Sequence, residues 1–426
     1  MHYSFTLPTP TMKKISIPLS LILFTLGSCS EKPTVSIDSY SQSNEGSQID
    51  YLDSSTQYPG KTFTANWSVS KEILKGGKQD GVELLTLDNG KLQICVIPAR
   101  GMGIWEVKCG KVRLGWDSPV KEIVHPTHID LESRGGLGWL EGFNEWMVRC
   151  GLEFAGHPGT DEFIDNTGNP STLNLTLHGK IQNIPASDYE ISVDPEPPHR
   201  IRIRGTVYEK FFYGPKLKLV TEVSTIPGSE TFQISDQITN EGAFPQEFQL
   251  IYHGNYGSSI LEEGASIFTP AKSVTPMNSN AAKGINNWKN YKGPTLGFTE
   301  EVYLLEPQPD GEGNSIALLT NSDRTIATSI RWNTNELPYL TVWKNTAAEE
   351  DGYVTGIEPA TGFPFNRRIE RKYGRVPILQ NGETRSFTLN FGIHKDEDSI
   401  QSIMGEIENL QKNTALIINR EPPTTE

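Results

Sequence analysis

The chain has 426 residues, of which 36% are hydrophobic and 21% charged, and this ordinary globular composition argues against disorder, collagen and coiled coil as its main state. With 38 Lys and Arg against 52 Asp and Glu, the formal net charge is −14, which argues against generic nucleic-acid binding and electrostatic docking on an anionic membrane. The length suffices to bury a full core without disulfide or metal staples.

The N-terminal segment predicts a lipoprotein signal peptide over residues 1–28. Two lysines precede an apolar run, Ile15–Leu26, which is shorter than the roughly 20 residues that a membrane-spanning helix needs. The Leu-Gly-Ser-Cys sequence ending at Cys29 resembles a bacterial lipobox, in which the cysteine is lipidated. Ser30 resembles the outer-membrane sorting pattern. We therefore expect a lipid anchor in the bacterial cell envelope; an ordinary cleaved signal is the alternative.

Composition divides the remaining chain into a tether, a large domain and a short C-terminal part. Residues 29–58 are rich in Ser, Gln, Asp and Pro and are predicted to be a flexible tether. Frequent strand signals predict one β domain over residues 59–396. A helix and tail are expected over residues 397–426.

Two β-hairpins are predicted early in this domain. Val82–Leu87 and Leu92–Ile97 flank Asn89-Gly90, a turn in which both central residues are expected to have positive φ. Met102–Cys109 and 111–114 flank Gly110. Further predicted strands are Ile201–Tyr208, Lys216–Val223, Thr231–Ile238, Ile316–Thr320, Thr325–Trp332, Tyr339–Trp343 and Ser386–Ile393.

One amphipathic helix is predicted near the C-terminus. Ile400, Ile403, Ile407 and Leu410 recur at helical spacing, which indicates a helix over about 396–412. Because regular helices do not alternate with the strands, most parallel α/β architectures, such as Rossmann-like folds and TIM barrels, are excluded. The sequence therefore predicts an all-β fold, a large antiparallel β sandwich with long functional loops.

Several common chemical motifs are missing from the sequence. There is no GxSxG, phosphate-binding loop, HExxH or EF-hand sequence. His125 and His128 form an HxxH pair without a third ligand in fixed spacing, which favours a loop over a metal site. Cys95, Cys109 and Cys150 have no CxxC spacing and are expected to be small buried thiols. We predict neither a metal nor a cofactor.

Three polar positions are the best catalytic candidates. His178 lies in a Leu-His-Gly sequence and is expected on the side opposite an apolar strand face; a capping or surface histidine is the alternative. His253 is expected at the end of a strand, with Asn255 on the same side; a polar turn after the strand is the alternative. Glu358 lies among two glycines and two prolines, which predicts either a rigid loop carrying a general base or a solvated turn.

Five further residues are candidate substrate contacts, and Asn255 is one of them. Arg100 and Arg149 could form bidentate hydrogen bonds to vicinal hydroxyls or a carboxylate. A structural ion pair is the alternative for each. Glu145 and Trp343 complete the set, with Glu145 as a candidate second carboxylate.

The ordered motifs resemble the galactose mutarotase (aldose 1-epimerase) superfamily, and within it an aldose-epimerase-like branch. They are Pro-x-Arg-Gly-Met at 98–102, Leu-His-Gly at 177–179 with Asn-x-Pro at 183–185, Tyr-His-x-Asn-x-Gly at 252–257, and Glu358-Pro359. The resemblance implies a supersandwich fold and a cofactor-free reaction. It implies that His178 contacts the sugar, that His253 is the general acid at the ring oxygen, and that Glu358 is the base at the anomeric hydroxyl.

The leading hypothesis is a lipid-anchored sugar mutarotase acting on a free aldose or short oligosaccharide. A non-catalytic carbohydrate-binding lipoprotein is one alternative, and a lyase or hydrolase on the same scaffold is another. The expected partner is a small carbohydrate, with membrane contact only through the lipid anchor and no nucleic acid. The sequence leaves the sugar and the oligomeric state open.

Overall fold

The computed structural model describes residues 34–35, 50–57 and 63–424, all within the compact unit Pro33–Glu426. The predicted signal peptide and Cys29 lie outside the described residues, as does most of the predicted tether. Within the described ranges, no helix is both long enough and apolar enough to cross a membrane.

Strands are the most abundant regular element of the described chain. In chain order they are β1 (Thr34–Val35), β2 (Asp50–Asp53), β3 (Ser68–Ile73), β4 (Glu83–Asp88), β5 (Gln93–Ile97), β6 (Gly103–Cys109), β7 (Val112–Leu114), β8 (Met147–Leu152), β9 (Gly159–Ile164), β10 (Pro170–Leu175), β11 (Asp188–Val193), β12 (Ile201–Lys210), β13 (Lys216–Thr225), β14 (Thr231–Asn240), β15 (Gln246–Glu247), β16 (Gln249–Tyr256), β17 (Ser266–Phe268), β18 (Ala271–Pro276), β19 (Glu301–Pro307), β20 (Asn314–Thr320), β21 (Ala327–Asn333), β22 (Tyr339–Asn345), β23 (Val354–Ala360), β24 (Ile378–Leu379), β25 (Thr384–His394) and β26 (Ile417–Ile418).

Helices are short, apart from the last one. The α-helices are α1 (Ser54–Gln57), α2 (Ser133–Gly136), α3 (Ser279–Gly284), α4 (Arg367–Lys372) and α5 (Glu397–Gln411). Single 3-10 turns lie at Gly77–Gln79, Pro126–His128, Gly138–Gly142, Ile181–Asn183, Ile285–Asn287 and Glu349–Asp351. The predicted C-terminal helix is thus α5; the side chain of Asp396 caps its first turn, and Ile400, Ile403 and Ile407 are buried.

Two large sheets form the sandwich. Among the described residues, one sheet has nine strands in the order β1-β11-β12-β13-β14-β25-β21-β20-β17. The other has thirteen, in the order β2-β3-β4-β5-β6-β8-β16-β23-β22-β19-β18-β26, with β7 paired to β6. Nearly all neighbours are antiparallel, with β18–β26 parallel. The predicted all-β sandwich is confirmed.

The main hydrophobic core lies between the two sheets. Strands β12, β13 and β14 alternate buried and more exposed residues, so one face of each packs inward. Their inward side chains pack with residues of the thirteen-stranded sheet, such as Ile104, Met147 and Tyr252, in one continuous cluster. The central strands of the larger sheet are buried on both faces, because loops cover their outer side.

The first predicted hairpin forms, but its turn differs from the expectation. Gly90 has a φ of 88°, whereas Asn89 does not adopt positive φ. The Asn89 side chain is instead fully buried: its Oδ1 accepts from the backbone of residues 91 and 92, and its Nδ2 donates to Thr225 Oγ1 at 2.8 Å. This turn therefore joins the end of β4 to the opposite sheet.

Three other expectations have definite outcomes. The second hairpin is β6–β7, with Gly110 at a φ of 61°. Cys95, Cys109 and Cys150 are buried free thiols, as predicted. Parts of the predicted tether are paired strands, because β1 pairs with β11 and β2 pairs with β3 at the sheet edges.

Candidate active site

Three neighbouring strands of the larger sheet place polar side chains in one row on its outer face. The register between β16 and β23 sets His253 directly opposite Glu358, and Glu358 pairs in turn with Thr341 on β22. Paired residues on neighbouring strands share a face of the sheet. As a result His253 Nε2 lies 3.2 Å from Glu358 Oε1.

These positions correct two local predictions. His253 lies inside β16 rather than at a strand end, and Glu358 lies inside β23 rather than on a rigid loop. Close packing around Glu358 requires the glycine at position 356. A Cβ on Gly356 would overlap Glu358 Oε1 and would lie 3.2 Å from the Trp343 ring. Gly356 thus makes room for the carboxyl within a continuous strand.

Asn255 fixes the orientation and tautomer of His253. Its amide nitrogen donates to the Glu145 carbonyl at 3.0 Å, so its Oδ1 faces the imidazole. That oxygen lies 2.7 Å from His253 Nδ1, which must therefore carry the proton. In the neutral imidazole, Nε2 is then an acceptor directed at Glu358. Asn255 is a positioning residue rather than a cavity contact.

His178 is held by its backbone in a tight turn after β10. It has a φ of 59° and its N–H donates to the Gly156 carbonyl. Its Nδ1 donates to the Ala155 carbonyl at 2.9 Å, which leaves Nε2 for the cavity. The next residue is Gly179, and only glycine fits there because a Cβ atom would overlap backbone carbonyl oxygens. The His178 ring centroid is 5.5 Å from that of His253.

Burial favours the uncharged forms of these side chains. Desolvation lowers the pKa of His253 to about 4, and it lowers that of His178 to about 3 with a further contribution from nearby His253. Desolvation raises the pKa of Glu358 well above its usual range, and the nearby Glu300 acts in the same direction. Burial therefore favours the neutral pair, with the proton on the Glu358 carboxyl, over an ion pair of imidazolium and carboxylate.

Aromatic side chains wall the cavity above this row. Its volume is about 690 Å³. Ring centroids of Phe143 and Trp343 lie 5.5 and 5.6 Å from that of His253, and the Trp139 centroid lies 4.7 Å from that of His178. Among the described lining residues the acidic side chains are Glu300, Asp351 and Glu358, and none is a lysine or an arginine. Aromatic walls of this kind can pack against the apolar faces of an uncharged sugar.

Arg149 lies on the opposite face of the sheet, which corrects its predicted role. Its neighbours in β8, Val148 and Cys150, face the site, so strand alternation turns Arg149 into the core. There its guanidinium pairs with Asp236 of the other sheet and donates to Thr221 Oγ1 at 2.6 Å. Burial alone would lower the pKa of Arg149, but the Asp236 carboxylate raises it on balance.

Arg100 and Glu145 also lie outside the cavity lining. Arg100 Nε and Glu145 Oε1 form a buried ion pair at 2.8 Å. Arg100 also donates to the Gly142 carbonyl at 3.1 Å, immediately before Phe143. The pair therefore supports the loop that carries the aromatic wall, and Glu145 is not a second carboxylate of the site.

Sequence reasoning missed several residues of the cavity. Trp343 was included and does line it; its Nε1 donates to Glu300 Oε2 at 2.8 Å. Thr341, two positions earlier on the same strand, shares its face and could have been found by alternation. Trp139 and Phe143 lie on a loop and its 3-10 turn, for which the sequence carries no periodic signal.

Comparison with known proteins identifies the family. Residues 79–393 match the model described as "Domain of unknown function (DUF4432)". The chain belongs to the DUF4432 family. No curated protein sequence matches it.

Solved structures place this DUF4432 chain among galactose mutarotase-like folds, which confirms the resemblance inferred from the motifs. A Klebsiella pneumoniae protein provisionally named an aldose 1-epimerase is 40% identical, with 89% of this chain and 96% of that chain covered and a TM-score of 0.83. A galactose mutarotase-like protein from Clostridium acetobutylicum is 13% identical, with 77% and 98% covered and a TM-score of 0.53, and shows similarity of fold alone.

Proposed function

We propose that the protein is a sugar mutarotase that interconverts the anomers of a free aldose or short oligosaccharide. The observation that carries this proposal is the His253 Nε2–Glu358 Oε1 pair, 3.2 Å apart at the floor of an aromatic-walled cavity. The 40% identity to a provisionally named aldose 1-epimerase supports it.

Mutarotation needs one proton removed from the anomeric hydroxyl and one delivered to the ring oxygen. Transfer of the carboxyl proton from Glu358 to His253 Nε2 creates a carboxylate and an imidazolium without changing the net charge of the pair. The Glu358 carboxylate then accepts the anomeric hydroxyl proton while His253 protonates the ring oxygen. The C1–O5 bond breaks, the aldehyde turns about C1–C2, and O5 closes on its other face.

The remaining side chains bind and orient the sugar in this scheme. His178 Nε2 faces the cavity as a hydrogen-bonding group for a hydroxyl, since its Nδ1 is held by the Ala155 carbonyl. Trp343, Trp139 and Phe143 contact the apolar ring faces. Enclosure by these rings excludes water, which strengthens the interaction of the reacting pair with the sugar.

Anomer exchange measured by saturation-transfer NMR tests the proposal directly. A panel of free aldoses and reducing disaccharides should include at least one whose exchange the protein accelerates. Replacement Glu358→Gln removes the proton acceptor with little change in shape, so we expect a loss of roughly 10²–10⁴ in catalysed rate.

A matched variant separates loss of chemistry from loss of a buried carboxyl. Glu336 is also partly buried, accepts a backbone hydrogen bond from Thr388 at 2.8 Å, and lies outside the cavity. Glu336→Gln should keep the wild-type exchange rate. Undiminished exchange in Glu358→Gln, or the absence of acceleration by the wild-type protein, would contradict the proposal.

The two alternatives give different outcomes in the same experiments. Quenching of tryptophan fluorescence by a sugar without anomer exchange would indicate a binding protein, because Trp343 and Trp139 line the cavity. Release of new reducing ends from a polysaccharide would indicate a hydrolase, and unsaturated products would indicate a lyase. The position of Glu145 in an ion pair outside the cavity removes one carboxylate that a hydrolase could have used.

We also propose that Cys29 carries the lipid anchor, which would hold the protein at the bacterial cell envelope, at the outer membrane. The support is the sequence alone: a short apolar run ending in Leu-Gly-Ser-Cys. Several acyl chains on one cysteine would give stable membrane attachment.

A further inference from the structure

Thr341 is a buried polar residue of the cavity that the mechanism above does not use. The residue is 1% exposed, and it lines the cavity beside Glu358. Within the described part of the chain, its Oγ1 has no hydrogen-bond partner. A buried hydroxyl without a partner costs free energy, so a ligand that supplies one would gain from the contact.

A second buried polar atom next to Thr341 is also available to a ligand. Glu358 Oε1 makes no aligned hydrogen bond to a described group, although His253 Nε2 is 3.2 Å away. Thr341 and Glu358 are a directly opposed pair of β22 and β23, so their Cβ atoms are about 5 Å apart. One small ligand can therefore reach both groups.

The order of the row matches the order of atoms in a cyclic aldose. Across the sheet the sequence is His253, Glu358, Thr341, with neighbouring strands about 4.8 Å apart. In the sugar, the ring oxygen is followed by C1 and then by C2. With His253 at the ring oxygen and Glu358 at the hydroxyl of C1, the C2 side of the sugar faces Thr341.

We infer that Thr341 donates a hydrogen bond to the hydroxyl on C2 of the aldose and thereby selects 2-hydroxy sugars over 2-deoxy sugars. This inference rests on the proposed mutarotase function. A site that leaves a buried hydroxyl unpaired discriminates against an analogue that lacks the matching group. Thr341 is thus a residue for substrate specificity as well as orientation.

The experiment compares D-glucose with 2-deoxy-D-glucose, and D-galactose with 2-deoxy-D-galactose, by anomer-exchange NMR. Thr341→Val keeps the shape and β-branching of the side chain but removes the hydroxyl. We expect kcat/KM for the 2-hydroxy sugar to fall about 10-fold, with kcat/KM for the 2-deoxy sugar within about two-fold of wild type. Wild-type and variant proteins are compared on the same sugar, so intrinsic differences in reactivity between the 2-hydroxy and 2-deoxy sugars cancel.

Controls distinguish this inference from the proposed function and from misfolding. Thr341→Ser should restore most of the discrimination, and all variants should show the wild-type melting temperature within a few degrees. Equal losses for both sugars, or no loss for either, would overturn the role of Thr341 while leaving the mutarotase intact. Failure of the wild-type protein to exchange any sugar would remove the proposed function and this inference together.

Discussion

Acidification should destabilise the protein through His178, and the size of the effect follows from its burial. His178 is 8% exposed, and desolvation lowers the pKa of its imidazole to about 3. In the unfolded chain its pKa is about 6.5. Because the folded pKa is the lower one, the stabilisation is present above about pH 6.5 and is lost as the pH falls toward 3.

Linkage gives the magnitude between pH 7 and pH 5. Over this interval the unfolded imidazole takes up most of a proton and the folded one almost none, so His178 contributes a loss of about 2 kcal/mol in the free energy of unfolding. For a body of this size, that corresponds to a fall of about 2–3 °C in melting temperature.

The variant His178→Asn isolates this contribution. Asn tolerates the left-handed backbone at this position and does not titrate. Between pH 7 and pH 5, the melting temperature of the His178→Asn protein should therefore fall by about 2–3 °C less than the melting temperature of the wild-type protein. Calorimetry measures both. His128→Asn, on an exposed turn, is the control for the substitution itself and should have the wild-type melting temperature at pH 7. If His178→Asn shows the same pH dependence as wild type, the imidazole is not buried in its neutral form.

Three other perturbations test separate parts of the structure. Gly179→Ala should lower the free energy of unfolding by more than about 1 kcal/mol, because a methyl group would overlap backbone at a φ of 73°. The control Gly405→Ala, in the open middle of α5, should be neutral or stabilising. Chemical denaturation compares the two variants. Asp236→Asn should cost about 3–5 kcal/mol, because it leaves the buried Arg149 charge uncompensated, and a calorimetric loss below 1 kcal/mol would contradict the buried pair. Cys29→Ser should abolish incorporation of a labelled fatty acid in cells, and retained labelling would refute the anchor.

The part of the fold that could be predicted from sequence is the part that is buried on one side. Strands β12, β13 and β14 alternate apolar and polar residues because one face meets the core and the other meets solvent. This alternation is visible in a sequence, and the predicted starts of all three strands agree with the structure. The helix α5 was predictable for the same reason, with a period of 3.6 residues instead of two.

The site was harder to predict because it lies on strands buried on both sides. Strands β8, β16 and β23 are buried along their whole length, so they have no alternation to read. Glu358 between glycines and prolines therefore resembled a loop. Alternation puts Val148 and Arg149 on opposite faces of a strand, but which of the two faces the site depends on long-range pairing, which the sequence does not show. Ordered motifs nevertheless singled out His178, His253 and Glu358, and the structure brings them together.

Placement of the reacting groups on adjacent strands has a consequence for how this scaffold can change over time. The spacing of His253 and Glu358 is set by main-chain pairing deep in a wide sheet, where a one-residue shift of either strand would turn its own side chain inward. The walls that meet the rest of a ligand come largely from surface loops, which tolerate insertion and exchange. New ligand preferences can therefore arise by remodelling those loops, while the proton-transfer geometry is inherited unaltered.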